Sequence, residues 1–282
     1  MKTFGASRYY ASAIRRFLWR LGRRTYCWAR NDLTKGPEKN GEYRFLHLFL
    51  SSRQKSVTFV DIGANKGEWA LQALAGAKTN GKESSLHMFE PANDSFLRLQ
   101  KLFQSPTIKV NKAALSDTNG TTLLFVRGAL SGINSLYADD GGDAEDVNTL
   151  TLDDYVVQNG VERIDFVKSD TEGHDFCVMQ GAKNLLHAGK VTVWQFEYNH
   201  RWINARCYLK DVFKFMVDKP YMIGKLSNRG IEIYPEWHHE LEHFFETNFV
   251  LIHNDCEAIR KIATVSRFGL SNVPMPEALP RC

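Results

Sequence analysis

One run constrains this chain more than any other: Val57-Thr58-Phe59-Val60-Asp61-Ile62-Gly63-Ala64-Asn65-Lys66-Gly67. It is an apolar, β-branched stretch that ends in a carboxylate, turns through two glycines and leads into a helical pattern over residues 68–77. A strand that turns through glycine into a helix opens an α/β layer. Gly63 permits a tight turn with close backbone approach to a ligand, and Gly67 lets the helix begin near the sheet. The same strand-to-helix rhythm follows, with strands at 86–89 and 107–110 around a helix at 94–103. After an added strand at 121–126 and a Gly/Ser/Asn/Asp-rich loop over 131–146, it resumes. Helices are expected at 152–158, 174–186 and 208–217, and strands at 164–168, 191–196, 221–225 and 248–253. Such alternation predicts a doubly wound, Rossmann-like α/β fold with a mostly parallel, seven-stranded sheet.

Around this domain, taken as 55–255, lie a basic helical segment and linker (1–54) and a C-terminal extension (256–282) whose three prolines over 273–280 suit an extended tail. Residues 1–31 carry eight cations and no acid, which leaves 28 cations against 32 acids in the remainder. The body is therefore not a basic nucleic-acid binder, and no nucleic-acid partner is expected. At about 100° per residue, Tyr10, Ile14, Phe17, Leu18, Leu21 and Trp28 share one arc, and Arg15, Arg16, Arg20 and Arg23 take the other side. Three readings fit this amphipathic helix: a membrane-surface contact through residues 8–28, an organellar presequence, and a lid packing its apolar stripe on the domain. No stretch has the roughly 18 apolar residues of a membrane span. Five scattered cysteines without C-x-x-C spacing indicate neither a disulfide framework nor a zinc site. These features suit a cytoplasmic protein in a reducing compartment, with or without peripheral membrane contact.

The chemistry sits at strand ends. Asp61 to Gly67 reads D-x-G-x-x-x-G rather than the G-x-G-x-x-G of a dinucleotide site, and an acid suits a cationic or hydroxyl-bearing ligand better than a phosphate. Phe89-Glu90-Pro91 puts a second carboxylate at the next strand end, where an acid accepts hydrogen bonds from ribose hydroxyls. Lys168-Ser169-Asp170-Thr171-Glu172-Gly173-His174-Asp175 forms a third cluster, bordering the same crevice. Asp170 and Glu172 there either supply a base or cap the helix that follows. Gln195-Phe196-Glu197-Tyr198-Asn199-His200-Arg201-Trp202 reads as a substrate wall, with Glu197 and His200 as further candidate bases.

Together with Ala114-Leu115-Ser116-Asp117, Thr149-Leu150-Thr151-Leu152-Asp153-Asp154 and Gly181-Ala182, these segments resemble the FkbM-type methyltransferases over residues 57–200. The resemblance implies a class I methyltransferase fold, S-adenosylmethionine as cofactor, and O-methylation of a sugar, glycan or natural-product hydroxyl. By position it places Asp61, Gly63, Ala64, Asn65 and Gly67 around the methionine part of the cofactor. Glu90 and Pro91 fall at the ribose, Asp117 near the adenine, and Asp170 and Glu172 near the transferred methyl. His174-Asp175 departs from the small residue plus Glu expected there. A second enzymatic reading makes Asp170, Glu197 and Asn199 oxygen ligands for Mg²⁺ on a vicinal diol, although no dedicated ligand spacing is visible and no metal is assigned. A third, from another class, is a non-catalytic protein that kept the fold. The acids at 61, 90 and 170 speak against it.

Overall fold

The computed structural model describes residues 13–32, 36–53, 56–128, 130–138 and 143–277. Tyr10 of the N-terminal stripe lies outside them. Helix α1 (Ala13–Ala29) stands ahead of α2 (Glu42–Ser52), and the alternation then runs β1 (Ser56–Ile62), α3 (Glu68–Thr79), β2 (Glu83–Phe89), α4 (Asn93–Leu102) and β3 (Ile108–Asn111). An insertion follows: β4 (Ala114–Leu115), β5 (Gly120–Val126) and β6 (Asp143–Leu150) make a separate small sheet in the order β4-β6-β5. Next come α5 (Leu152–Asn159), β7 (Ile164–Ser169), α6 (Asp175–Gln180), α7 (Lys183–His187), β8 (Val191–Tyr198) and α8 (Leu209–Met216). The chain closes with β9 (Tyr221–Ser227), β10 (Gly230–Ile233), β11 (Thr247–His253), α9 (Glu257–Arg260), β12 (Thr264–Phe268) and β13 (Pro274–Glu277).

The main sheet is ordered β3-β2-β1-β7-β8-β11-β9-β10-β12-β13. Its first five strands are parallel, and β11 runs antiparallel between β8 and β9. The strand order reverses between β1 and β7, the topological switch point at which ligands bind in such sheets. The expected seven strands are there, and β10, β12 and β13 extend them to ten. The C-terminal tail is thus no free extension. Pro274 and Pro276 sit on a terminal edge strand, where proline removes no central ladder bond. The Asp143–Leu150 strand overlaps the expected loop, because its partner β5 lies across an insertion and its own residues are mostly polar. The single helix expected over 174–186 is two, parted at Gly181-Ala182.

Side chains alternate across the sheet. Val57 and Phe59 pack under α2 and α3 with Phe45, Phe49 and Trp69, while Val60 and Ile62 face the α5–α8 side with Tyr155, Val178 and Met179. Helix α2 therefore belongs to the core of the domain rather than to a linker. Helix α1 does not. Its Ile14, Phe17, Leu18, Leu21 and Trp28 are exposed and Cys27 is its only buried residue, so the lid reading is wrong.

Candidate active site

Strand register assembles the site. Ile62 pairs with Phe89 on β2 and with Ser169 on β7, and Ser169 pairs with Phe196 on β8. The next residue on each strand is therefore Gly63, Glu90, Asp170 or Glu197, and the four lie along one edge of the sheet. The first three border a cleft of about 560 Å³, counting its space open to solvent, and Glu197 stands outside its lining. Gly63, Asn65, Glu90, Pro91, Asp170 and Glu172 line it.

The glycine turn is fixed from both sides. Gly63 N–H donates to the Phe89 carbonyl at 2.9 Å, and Asp170 N–H donates to the Ile62 carbonyl at 3.0 Å. Gly63 has φ 75°, and a Cβ there would stand 2.0 Å from the Asp170 carbonyl oxygen, so no other residue fits. Gly67 supports the turn: its missing Cβ leaves room for Phe103 and Leu99 behind it. Ala64 is buried beside the turn. Glu90 is buried, with Oε2 accepting from the Asn65 N–H at 2.7 Å and Oε1 from the Ala92 N–H at 2.9 Å. Burial pushes its carboxyl up to about 6, against the pull of those two backbone donors.

Asp61 and Lys168 share the face of Phe59 and Phe166, which brings them under Glu42 at the start of α2. Lys168 Nζ lies 3.1 Å from Asp170 and 3.9 Å from Glu42. Burial alone would lower the Lys168 pKa, but the carboxylates of Asp170, Glu42 and Asp61 outweigh it and raise it, so the ammonium stays charged. Burial pushes Asp61 up to about 7, and its Oδ2 has no hydrogen-bond partner among the described residues. Asp61 does not itself line the cleft, though the Ile62 and Gly63 that follow it do, and a buried acceptor left open so near a cleft is the kind of group a ligand satisfies.

On the β7–β8 side, Asp170, Glu172 and Glu197 can bring one carboxylate oxygen each to within 4.8 Å of one another. Such crowding raises proton affinity. Glu172 is pushed up to about 8 by burial and then by the charge of Asp170, against the pairing of Arg201 with its carboxylate. Glu197 is raised well above the usual range by burial, then by Asp170 and Glu172. Glu172 also adopts a left-handed backbone, φ 55°, ahead of Gly173, whose Cβ would meet the Arg201 carbonyl at 2.7 Å. Backbone held in this region costs roughly 1–3 kcal/mol and clusters at functional sites. Neither Asp170 nor Glu172 caps α6: the capping position is His174, with no side-chain cap bond.

Other expectations fare differently. Asp117 is exposed, with Oδ1 accepting from Ser116 and Thr118, and it does not line the cleft. Ala113, Ala114 and Leu115 line it instead. His200 is exposed and outside the lining. Asn199 Oδ1 accepts from the Arg201 N–H at 2.8 Å and its amide donates to Glu197 at 2.6 Å, so one of its oxygen's two acceptor positions is already taken. Asp153 and Gly181 have a structural duty. Asp153 accepts from the Asn184 and Leu185 N–H groups, and a Gly181 Cβ would sit 1.9 Å from the Ser116 carbonyl. Sequence reasoning missed the lining by Ser131, Gly132, Asn134 and Leu136, and by His174, which bonds Tyr137 at 2.7 Å and Ser116 at 2.9 Å. The polar loop over 131–146 was the only signal for the first four.

The model of the methyltransferase FkbM domain matches residues 61–233, from the strand-end acid of β1 to the end of β10. This chain belongs to that family. Its sheet order and switch-point cleft make it a class I methyltransferase fold. Among solved structures, the domain is similar to an FkbM methyltransferase from Methylobacillus flagellatus KT, with 18% identity, TM-score 0.45, and coverage of 71% of this chain and 44% of that one. It is also similar to a SAM-dependent methyltransferase from Agrobacterium tumefaciens (9% identity, TM-score 0.41, 76% and 61% covered). A third is a precorrin-6y C5,15-methyltransferase from Geobacter metallireducens GS-15 (12%, 0.38, 74% and 87%). The chain thus spans less than half the length of the first of these. No curated protein matches it.

Proposed function

We propose that the chain is an S-adenosylmethionine-dependent O-methyltransferase acting on a hydroxyl of a sugar, glycan or other small natural product. One observation carries the donor half of this reading. The cleft presents the remaining acceptor positions of the Glu90 carboxylate beside the Gly63 turn, and the open Oδ2 of Asp61 lies buried behind its Ile62–Gly63 lining. Such a donor set fits a ligand with a cationic amino-acid end and ribose hydroxyls. Gly63 to Gly67 would hold the methionine part, Glu90 the ribose diol, and Ala113 to Leu115 the base. When bound, the cofactor supplies an electrophilic methyl group.

The protein's own task is to align an oxygen and take its proton. Asp170 lines the cleft with its carboxylate held by Lys168, and Glu172 lies beside it with a proton affinity near neutrality. In this reading Asp170 orients or deprotonates the acceptor hydroxyl, with Glu197 as the alternative base close by. The gathering of Asp170, Glu172 and Glu197 supports a second reading, in which these three rather than Asn199 hold Mg²⁺ on a diol. The test is release of the demethylated cofactor from a panel of glycosides and phenols, with and without chelator. No release with any hydroxyl acceptor, but release with amines, would sink the O-methyl reading. Chelator-sensitive activity restored by Mg²⁺ selects the second.

A further inference from the structure

Helix α1 bears no relation to the cleft, yet its construction is specific. The body grips one side of it, and at the last turn Arg229 also lies over the Trp28 ring at 5.7 Å. Tyr26 donates to Glu240 at 2.9 Å, Arg23 lies over the Phe245 ring at 5.0 Å, and Cys27 is buried. Arg30, just beyond the helix, bridges Asp32 and Glu240 at 3.0 and 3.2 Å. Asp32 in turn pairs with the buried Lys225 ammonium on β9. At about 100° per residue, Arg23, Tyr26, Cys27 and the direction of Arg30 span an arc of roughly 100°. Phe17, Trp28, Leu21, Ile14 and Leu18 span an arc of similar width centred on the opposite side. They are 48–72% exposed, and Trp19, nearer the start, is 70% exposed. Arg20 and Arg24, both exposed, lie between the gripped side and the stripe.

We infer that α1 docks on an anionic lipid surface, with its apolar stripe in the headgroup boundary and the flanking Arg20 and Arg24 on lipid phosphates. The rigid grip on the opposite side is what points the stripe outward. No helix among the described residues is long and apolar enough to cross a membrane, whereas about 25 Å of helix with one apolar arc suits the plane of the interface. Charge selects the occupant. The helix carries five arginines and no acid, so two copies facing each other would repel, while anionic headgroups complement it. The buried Asp32–Lys225 pair ties the helix into the fold, which argues against a removable presequence. This inference is independent of the methyl-transfer reading.

The test uses the full chain and vesicles of phosphatidylcholine, alone or with about 30 mol% phosphatidylglycerol. The expected result is sedimentation with the anionic vesicles, at least about tenfold weaker on the neutral ones, and release near 1 M salt, where screening shortens to about 3 Å. Neutralising Arg20 and Arg24 together with glutamine should weaken partitioning by about 25-fold, or about fivefold per charge. Phe17→Glu should abolish it, with the melting temperature unchanged because Phe17 touches no core. Three results would overturn the inference: no sedimentation with anionic vesicles, equal binding to neutral ones, or full binding by Phe17→Glu. A doubled mass in solution that Phe17→Glu halves, without vesicle binding, would assign the stripe to a second copy instead.

Discussion

Glu90 offers the sharpest measurement of the donor site. Its carboxylate is 6% exposed and already accepts two backbone hydrogen bonds, from Asn65 and Ala92. A carboxylate has about four acceptor positions, so about two remain for the ribose hydroxyls. Glu90→Ala removes these charge-assisted bonds. The free protein will recover part of the loss through a water in the vacated space, so the net effect is that of about one such bond, about 1.5–3 kcal/mol. Affinity for S-adenosylmethionine should therefore fall by about 10- to 150-fold. The same change leaves the Asn65 and Ala92 N–H groups without their protein acceptor, but it also relieves the cost of a buried charge. These two effects oppose each other, so the melting temperature should move little. Isothermal titration of wild type and variant with the cofactor, at a pH near 8 where Glu90 is ionised, reads the difference directly. A folded Glu90→Ala protein with wild-type affinity would refute the assignment of this carboxylate to the ribose.

The pH dependence follows with a definite sign. Because Glu90 ionises at about 6, the acceptor form is lost as pH falls through that value. Cofactor affinity should begin to weaken as pH falls through about 7, where Asp61 takes its proton, and weaken further through about 6; Glu90→Gln should remove only the lower step in titrations of the two proteins. Gly63→Ala should yield little folded protein, because its Cβ meets a carbonyl oxygen at 2.0 Å at φ 75°. Normal expression and melting would show that the turn gives way. Asp170→Asn should hold cofactor affinity within about twofold while lowering turnover by about 10² to 10⁴, the usual contribution of a general base. Unchanged turnover would move the role to Glu172 or Glu197.

The sequence by itself determined the α/β class, the switch-point strands and the acids at their ends. Asp61, Gly63, Glu90 and Asp170 were legible because a strand end, a turn and a helix start are written locally, in hydrophobic runs and glycine spacing. Only the tertiary structure decided which of these groups meet. Arg201 reaches Glu172 from 29 residues away, and Lys168 is buried among Asp61, Asp170 and the distant Glu42, pairings that no spacing encodes. Asp117 and His200 looked as eligible as their neighbours and are turned to solvent. The edge strand β13, with β12 beside it, was invisible for the same reason. An edge strand draws its regularity from its partner, not from its own pattern. For α1, the residues specified an apolar stripe, but the direction it faces was set by Glu240, Phe245 and Lys225, more than 190 residues later in the chain. A helix fixes which side chains share a face. What that face meets depends on the grip of the rest of the fold.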